Sequence, residues 1–271
     1  MAFSLAPCLL AVSVCLTVAC SKPPTTSGTA TESLVSAEGA PHPPAAAPNE
    51  AAVPVLVELF SSEGCSSCPP AERVLGELLD HPPLGARVIP LEFHVDYWDY
   101  IGHVDRFGSP AFTERQKVYA KQLHAASLYT PQTVIDGQAE LVGSRSAALT
   151  RAIEDAAKRT HVSVTLSQAG LPADRRSVTI GRLAAGTTRA KIILAEVDRR
   201  PTTRIARGEN AGTTIQHTWV ATRLVDLGDV GPEGGVVTLP ALASGRGRGA
   251  VAFAVREGDG AVLGSDSIAI E

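Results

Sequence analysis

This sequence has little net charge and few aromatic residues, and it lacks internal repeats. The formal net charge of the 271 residues is -4 at pH 7, and aromatic residues make up 4% of the chain. A nucleic-acid partner is not expected, because binding the phosphate backbone requires clustered Lys and Arg. No internal repeat occurs. Hydrophobic residues, at 44%, are nevertheless sufficient for a globular protein with a core.

Cysteine is confined to two places. Cys8, Cys15 and Cys20 lie in the N-terminal stretch, and Cys65 and Cys68 are the other two. An all-Cys zinc site needs four thiolates, so the remaining pair cannot form one. We therefore assign no metal ligands and no dissociable cofactor from the sequence.

Residues 1–20 are apolar and carry no interior charge, which is typical of an export signal. A lasting transmembrane anchor would need about 20 apolar residues with charged flanks. The ending TVAC resembles the lipobox of bacterial lipoproteins, with Thr17 where that motif prefers Leu. We expect an exported protein of the periplasm or cell envelope. Two alternatives remain: a membrane tether through lipidated Cys20, or plain cleavage and secretion.

Residues 21–52 are rich in Pro, Ser, Thr and Ala and contain almost no large apolar side chain. Such a segment cannot bury enough surface to offset its ordering entropy. We predict a disordered linker, which would let a tethered domain stand away from a membrane.

The pattern of residues 53–159 predicts an α/β domain. The apolar runs VPVLVELF (53–60) and RVIPLEFHVDYW (87–98) are predicted strands on either side of a helix, a connection long enough for a parallel crossover. Ser109 and Pro110 begin a second predicted helix. Asp136-Gly137 suits the type I′ turn of a hairpin, and a last helix follows it.

The pattern of residues 160–271 differs, with about seven short strands separated by Gly, Pro and Asp. It predicts an all-β, sandwich-like accessory domain. His217 and Trp219 flank Thr218, so their shared face is expected to pack on the first domain. The basic segment 199–210, RRPTTRIARGEN, is predicted to be a solvated loop, with an acidic partner as the alternative.

Cys65 and Cys68 lie between the first predicted strand and helix, in a CxxC arrangement. If Cys68 opens the helix, the helix dipole and free N–H groups favour a thiolate at Cys65. Cys65 is then the candidate nucleophile, and Cys68 the thiol that resolves a mixed disulfide. A disulfide between the two can persist in an oxidising compartment.

A Thr-Pro pair, Thr130-Pro131, occurs about sixty residues later, just before the hairpin. With the CxxC, it makes the chain resemble the thioredoxin-like fold. The segments VELFSSEGCSSCPPAE, FHVDYWDYIGHVDRFGSPAFTERQ, YTPQTVIDG and RGENAGTTIQHTWV resemble an exported bacterial family, domain of unknown function 1223. The resemblance implies a cis peptide before Pro131, and a substrate chain bound through Thr130. The alternative is an ordinary trans proline.

Other polar residues are candidates near the cysteines. A raised pKa would let Glu58 take and return the proton of Cys68, unless its carboxylate reaches water or Arg73. His94, Asp96 and Trp98 are candidates for substrate contact, and His94 and Asp96 also for proton transfer or metal ligation. A hydrogen-bonded structural cluster at the strand end is the alternative.

Three functions remain open from the sequence. The first is a thiol–disulfide oxidoreductase that acts on protein thiols or disulfides through Cys65 and Cys68. The second is a copper-handling protein in which the two thiolates and His94 or His103 hold Cu(I), an ion that soft ligands favour. The third is a non-catalytic binding module in which the cysteines form a permanent disulfide.

Overall fold

The computed structural model describes residues 52–167 and 176–270. The predicted export signal, the predicted lipidation site Cys20 and the predicted linker 21–52 lie outside the described residues, apart from residue 52. Within the described part, no helix has both the length and the apolar character needed to cross a bilayer.

Strands and helices alternate in the first half of the described chain. The elements there are β1 (Val53–Ser61), α1 (Pro69–Asp80), β2 (Ala86–His94), α2 (Pro110–Gln122), β3 (Gln132–Ile135), β4 (Ala139–Val142) and α3 (Ser146–Ala157). A short 3₁₀ turn occupies Asp99–Ile101. Ser109 caps α2 by accepting the Ala111 N–H, as predicted.

The second half of the described chain contains only strands as regular elements. They are β5 (Val164–Leu166), β6 (Ser177–Ile180), β7 (Ala190–Asp198), β8 (Thr202–Arg204), β9 (Thr214–Gln216), β10 (Val220–Val230), β11 (Gly235–Thr238), β12 (Arg248–Arg256) and β13 (Val262–Ile270). The α/β composition predicted for the whole chain is thus confirmed at the level of a mixed α/β protein that is mostly sheet.

One eight-stranded mixed sheet runs through both halves, in the order β13-β12-β7-β10-β2-β1-β3-β4. β1 is parallel to β2 and antiparallel to β3. The two halves join where β10 lies parallel to β2, at the pair Val220 and Glu92. β10 therefore covers the edge that β2 would otherwise expose.

This continuity differs from the predicted division at residue 159 into two separate domains. Alternating apolar patterns specify the two faces of a strand but not its edge partner, so the sequence did not indicate that β10 extends the first sheet. A sandwich-like layer is present: the three-stranded sheet β11-β6-β5 packs through Val178 and Ile180 on Ile192 and Leu194 of β7.

The two faces of β1 pack against different helices. Leu56 and Phe60 face α2 and belong to the core that contains Phe112. Val57 and Leu59, on the opposite face, belong to the core beneath α1 and α3. This alternation follows from the two-residue period of a strand, and it decides which β1 side chains can reach the start of α1.

Candidate active site at Cys65 and Cys68

The CxxC segment connects the end of β1 to the start of α1. The N–H of Cys68 donates to the carbonyl of Cys65 at 3.1 Å, which closes a tight turn. Pro69 and Pro70 then begin the helix, where a missing N–H has little cost. The cysteine Cα atoms are 5.4 Å apart and the sulfur atoms form a disulfide, as the sequence predicted.

Both cysteines are fully buried, whereas Ser66 and Ser67 between them are exposed. The Ser67 hydroxyl lies 3.3 Å from Sγ of Cys65. The pair therefore lies directly beneath the protein surface, and its sulfur atoms are not accessible to a large reactant.

Part of the cover comes from the loop between β8 and β9, residues 205–213. The buried Asn210 carboxamide donates to the carbonyls of Glu63 at 2.9 Å and Cys65 at 3.0 Å. The carboxylate of Glu209 accepts the Ser66 N–H at 3.3 Å. The prediction that segment 199–210 is a solvated loop is therefore wrong in two places. Thr202–Arg204 form β8, and Asn210 satisfies two carbonyls of the CxxC segment.

The Thr130-Pro131 peptide bond is cis, as the resemblance implied. Gln132, the next residue, pairs with Phe60 near the end of β1, which places Pro131 beside the loop that carries the cysteines. Trp98 contacts the same segment, because its indole N–H donates to the Thr130 hydroxyl at 2.9 Å. The structure thus brings together Thr130, Pro131 and Trp98 near the cysteine pair.

Glu58 is placed differently from its predicted role. Its side chain is fully buried, and Arg115 donates to Oε1 from Nε at 2.7 Å. The Tyr119 hydroxyl donates to the other carboxylate oxygen. Glu58 shares the β1 face of Leu56 and Phe60. It therefore points toward α2 rather than α1, and this is not a geometry for exchanging a proton with Cys68.

His94 and Asp96 are held by other side chains of the protein. His94 is fully buried, and its ring nitrogens lie 2.6 Å from Asp105 and 2.9 Å from Glu92. Asp96 accepts the Thr113 hydroxyl at 2.6 Å. Because His94 is fully buried, it cannot contact a substrate in this conformation and lies in a hydrogen-bonded cluster, while Asp96 is hydrogen-bonded to Thr113.

Below the CxxC segment lies a group of buried ionisable residues that we call the carboxylate–histidine cluster. Its members are Glu63, Glu72, Glu92, His94, Asp105 and His217. His217 lies with Nδ1 3.3 Å from Glu72 and from Glu92, and with Nε2 3.3 Å from Glu63. The expectation that His217 packs on the first half is confirmed.

The cluster is connected to the disulfide by sequence as well as by space. Glu63 lies two residues before Cys65, and its second carboxylate oxygen is 2.6 Å from His103, which is partly exposed. Glu72 lies on the first turn of α1, where its N–H donates to the Cys68 carbonyl at 3.2 Å. The cysteines and the cluster therefore share the loop and the first helical turn.

Mutual contacts set the protonation states in this cluster. Burial alone would lower the pKa of both histidines, but Asp105 and Glu92 raise the pKa of His94 to about 10. The neighbouring carboxylates of Glu63, Glu72 and Glu92 outweigh burial and raise the pKa of His217 to about 12. Burial raises the pKa of Glu72, and the nearby charge of Glu92 raises it further.

Local sequence patterns did not indicate the carboxylates of this cluster or the contacts of His217 with them. One usable signal was Glu92, two residues before His94 in an apolar run that predicts a buried strand. A carboxylate there requires a partner, because burying an unpaired charge is costly. Which partner it meets depends on long-range folding: His217 is 125 residues away in the chain.

Fold and site together define a mixed α/β protein with a CxxC disulfide at the start of a helix. Residues 56–256 match the family model described as "Protein of unknown function (DUF1223)". The chain therefore belongs to this family. None of the curated proteins matches it.

Two solved structures are similar to this chain. One is Protein AGR_C_4864 from Agrobacterium tumefaciens, with 26% identity and a TM-score of 0.64 over 80% of this chain and 94% of that one. The other is HBP35 of Porphyromonas gingivalis, with 12% identity and a TM-score of 0.55 over 82% of this chain and 76% of that one. The second likeness concerns the fold alone.

Proposed function

We propose that this chain is an exported, thioredoxin-like thiol–disulfide oxidoreductase that acts on protein thiols or disulfides. The observation that carries the proposal is the Cys65–Cys68 disulfide at the start of α1, beside the cis Thr130-Pro131 bond. The sheet order β2-β1-β3-β4, with helices on both faces, supports the thioredoxin-like description. Export, and a tether through Cys20, are part of the proposal.

The oxidised pair can accept two electrons from a substrate dithiol. A substrate thiolate attacks Sγ of Cys65, a mixed disulfide forms, and Cys68 leaves as a thiolate that takes up a proton. The second substrate thiolate attacks the substrate sulfur of that mixed disulfide and releases Cys65. The substrate leaves as a disulfide, and a partner disulfide must reoxidise the pair. The reverse sequence reduces a substrate.

Access is the main requirement of this reaction, because both cysteines are buried. The exposed Ser67 contacts Sγ of Cys65 through its hydroxyl, and the Asn210 loop contacts the same segment. Movement of loop 205–213 would open the cysteines to a substrate chain that lies along Thr130 and Trp98.

The test is a trapping experiment with Cys68→Ser in the exported fraction. Without the resolving thiol, Cys65 should accumulate mixed disulfides with client proteins, visible on non-reducing gels and identified by mass spectrometry. The matched control is Cys65→Ser, which should give far fewer adducts. If both variants give no adducts above background, the oxidoreductase proposal is wrong.

The burial of both cysteines favours a second candidate, a binding module with a permanent disulfide. A redox titration of the wild-type protein separates the two. The oxidoreductase predicts reduction by mild dithiothreitol and equilibration with glutathione, whereas a structural disulfide should have a potential below about -300 mV.

A further inference from the structure

The carboxylate–histidine cluster contains buried polar atoms that face one another at ion-pair distance but without hydrogen-bond geometry. Among the described residues, no hydrogen bond reaches Oε1 of Glu63, Oε2 of Glu72 or Nε2 of His217. These three side chains are at most 1% exposed. Buried polar atoms are nearly always hydrogen-bonded or bound to an ion, so the exceptions need an explanation.

We propose that Glu72, Glu92, His94 and His217 bind one divalent first-row transition-metal ion, with zinc the best fit. One ligand atom of each residue lies within 4.8 Å of the corresponding atoms of the other three. Two imidazoles with two carboxylates suit zinc and its neighbours, whereas magnesium and calcium prefer oxygen ligands throughout. No thiolate takes part, so this site differs from a copper site at Cys65 and Cys68.

Two of the distances between the ligand atoms match a tetrahedral zinc site. Nδ1 of His217 is 3.3 Å from Oε2 of Glu72 and 3.3 Å from Oε1 of Glu92. Zinc–ligand bonds of about 2.0–2.1 Å in a tetrahedron separate neighbouring ligand atoms by about 3.3–3.4 Å. Nε2 of His94 is closer to Glu92, at 2.9 Å, and would move outward by roughly 0.4 Å to complete that tetrahedron.

The second nitrogen of each histidine faces a further carboxylate. Nδ1 of His94 lies 2.6 Å from Asp105, and Nε2 of His217 lies 3.3 Å from Glu63. Metal-bound histidines typically donate their other N–H to a carboxylate, which fixes the tautomer and the ring orientation. Nδ1 of His94 has this hydrogen bond, whereas Nε2 of His217 faces Glu63 without hydrogen-bond geometry. The arrangement presents Nε2 of His94 and Nδ1 of His217 to the ion.

The two carboxylates are held by their outer oxygens. The Ser61 hydroxyl donates to Oε1 of Glu72 at 2.7 Å. The Thr218 N–H donates to Oε2 of Glu92 at 2.9 Å. In each case the remaining oxygen is directed toward His217. Three of the four ligands, Glu72, Glu92 and His94, are therefore oriented by a hydrogen bond from outside the proposed coordination shell, as in known metal sites.

A structural role follows from burial and connectivity. The four ligands are fully or almost fully buried, and closed four-ligand zinc sites are typically structural, whereas catalytic sites keep an open position. Glu72 comes from α1, Glu92 and His94 from β2, and His217 from the segment before β10. The ion would fix the second half of the chain to the base of the CxxC segment.

The experiment begins with the wild-type full chain, purified without chelator or metal-affinity resin. Elemental analysis should find close to one equivalent of a first-row metal per chain. After dialysis against a chelator, Zn²⁺ should raise the thermal unfolding midpoint, and Mg²⁺ should not. Mn²⁺ and Fe²⁺, the latter under anaerobic conditions, are tested in the same way, and the ion that raises the unfolding midpoint most is the preferred ligand.

Variants connect the metal to these residues. His217→Gln should lower metal affinity more than tenfold, and Asp105→Asn, outside the coordination shell, by about 10- to 100-fold. His161→Gln is the matched control: His161 contacts the carboxylate of Asp136 at 2.9 Å, outside the cluster, and this variant should bind metal like the wild type.

The Cys65→Ser/Cys68→Ser double variant separates this proposal from the oxidoreductase. It should abolish thiol exchange and keep the metal. The metal proposal is overturned if the wild type carries no stoichiometric metal and gains no stability from any of the three transition-metal ions. It is equally overturned if metal-loaded His217→Gln binds as tightly as the wild type, or if the metal is lost with the cysteines alone.

Discussion

The carboxamide of Asn210 satisfies two backbone carbonyls at the cysteine pair, those of Glu63 and Cys65. Asn210→Ala removes both hydrogen bonds, which together contribute about 1–3 kcal/mol to holding loop 205–213 in place. Reduction of the disulfide by dithiothreitol should become at least about fivefold faster, since opening precedes attack. The rate of reduction is measured by quenching the reaction at intervals and labelling the free thiols.

Arg207→Ala is the control for Asn210→Ala, because the Arg207 side chain is exposed on the same loop. It should leave the reduction rate unchanged. Equal rates for wild type and Asn210→Ala would show that loop 205–213 does not limit access to the disulfide.

A second residue-scale prediction concerns the buried ion pair of Glu58 and Arg115. Arg115→Met leaves the Glu58 carboxylate buried with only Tyr119 as a donor, and should reduce the free energy of unfolding by about 3–5 kcal/mol. Chemical denaturation measures this loss. The double variant Glu58→Gln/Arg115→Met should recover a large part of it. No recovery would mean that the pair is not the source of the loss.

Residue types alone indicated part of the site. Cys65, Cys68 and Pro131 could be predicted because each belongs to a short local motif, CxxC or Thr-Pro. Glu58 was misassigned because its face depends on the register of β1: one residue further along, Leu59 faces α1 instead. The partners of Glu92 lie in distant segments, and only the folded chain brings them together.

At the scale of elements, the β3–β4 hairpin contacts the turn between β12 and β13. Asp136 and Gly137 both have positive φ, 46° and 65°, as the predicted type I′ turn requires. A Cβ at residue 137 would lie 2.5 Å from the carbonyl oxygen of Gly260. The Asp136 carbonyl also accepts the Val262 N–H at 2.9 Å. The hairpin is thus attached to the second half of the chain.

Gly137→Ala should therefore be more destabilising than its φ alone requires. A non-glycine residue at positive φ costs about 1–2 kcal/mol, and the backbone contact with Gly260 adds to that cost. Gly186→Ala is the matched control, because Gly186 has φ 86° and open space around its Cα. Equal unfolding free energies for the two variants would contradict a tight contact between these turns.

The link between α3 and β5 contributes a pH-dependent contact through His161. The hydrogen bond to Asp136 raises the pKa of His161. This interaction stabilises the fold below about pH 6.5, the unfolded pKa, and is lost as pH rises through the higher folded pKa. The stability difference between wild type and His161→Gln should be larger at pH 5.5 than at pH 9. If urea titrations give the same difference in unfolding free energy between the two proteins at both pH values, this role of His161 is contradicted.

Periodicity predicted most elements of the first half, because each depends on neighbouring residues. The strands β1 and β2, the helices α1 and α2 and the β3–β4 hairpin all lie within a few residues of their predicted positions. The pairing of β10 with β2 could not be predicted in this way. It joins Val220 to Glu92, and strand patterns carry no information about such distant partners.

At the scale of the whole molecule, the continuous sheet determines how the chain unfolds. β2 lies between β1 from the first half and β10 from the second, and Phe253 of β12 belongs to the same core as Phe60 of β1. Neither half can bury this core by itself. We therefore expect one cooperative transition for residues 53–271, rather than separate transitions for two domains.

A fragment of residues 53–159 tests this expectation. Without β10, His217 and Thr218 it would expose the edge of β2 and deprive the buried Glu92 carboxylate of two contacts. We expect non-cooperative melting by circular dichroism and binding of a hydrophobic dye, as in loosely packed states. The intact 53–271 chain should melt in one sharp transition. If the short fragment melts as cooperatively and at the same temperature, the second half is an independent addition to a self-sufficient first half, and the sheet continuity has no energetic role.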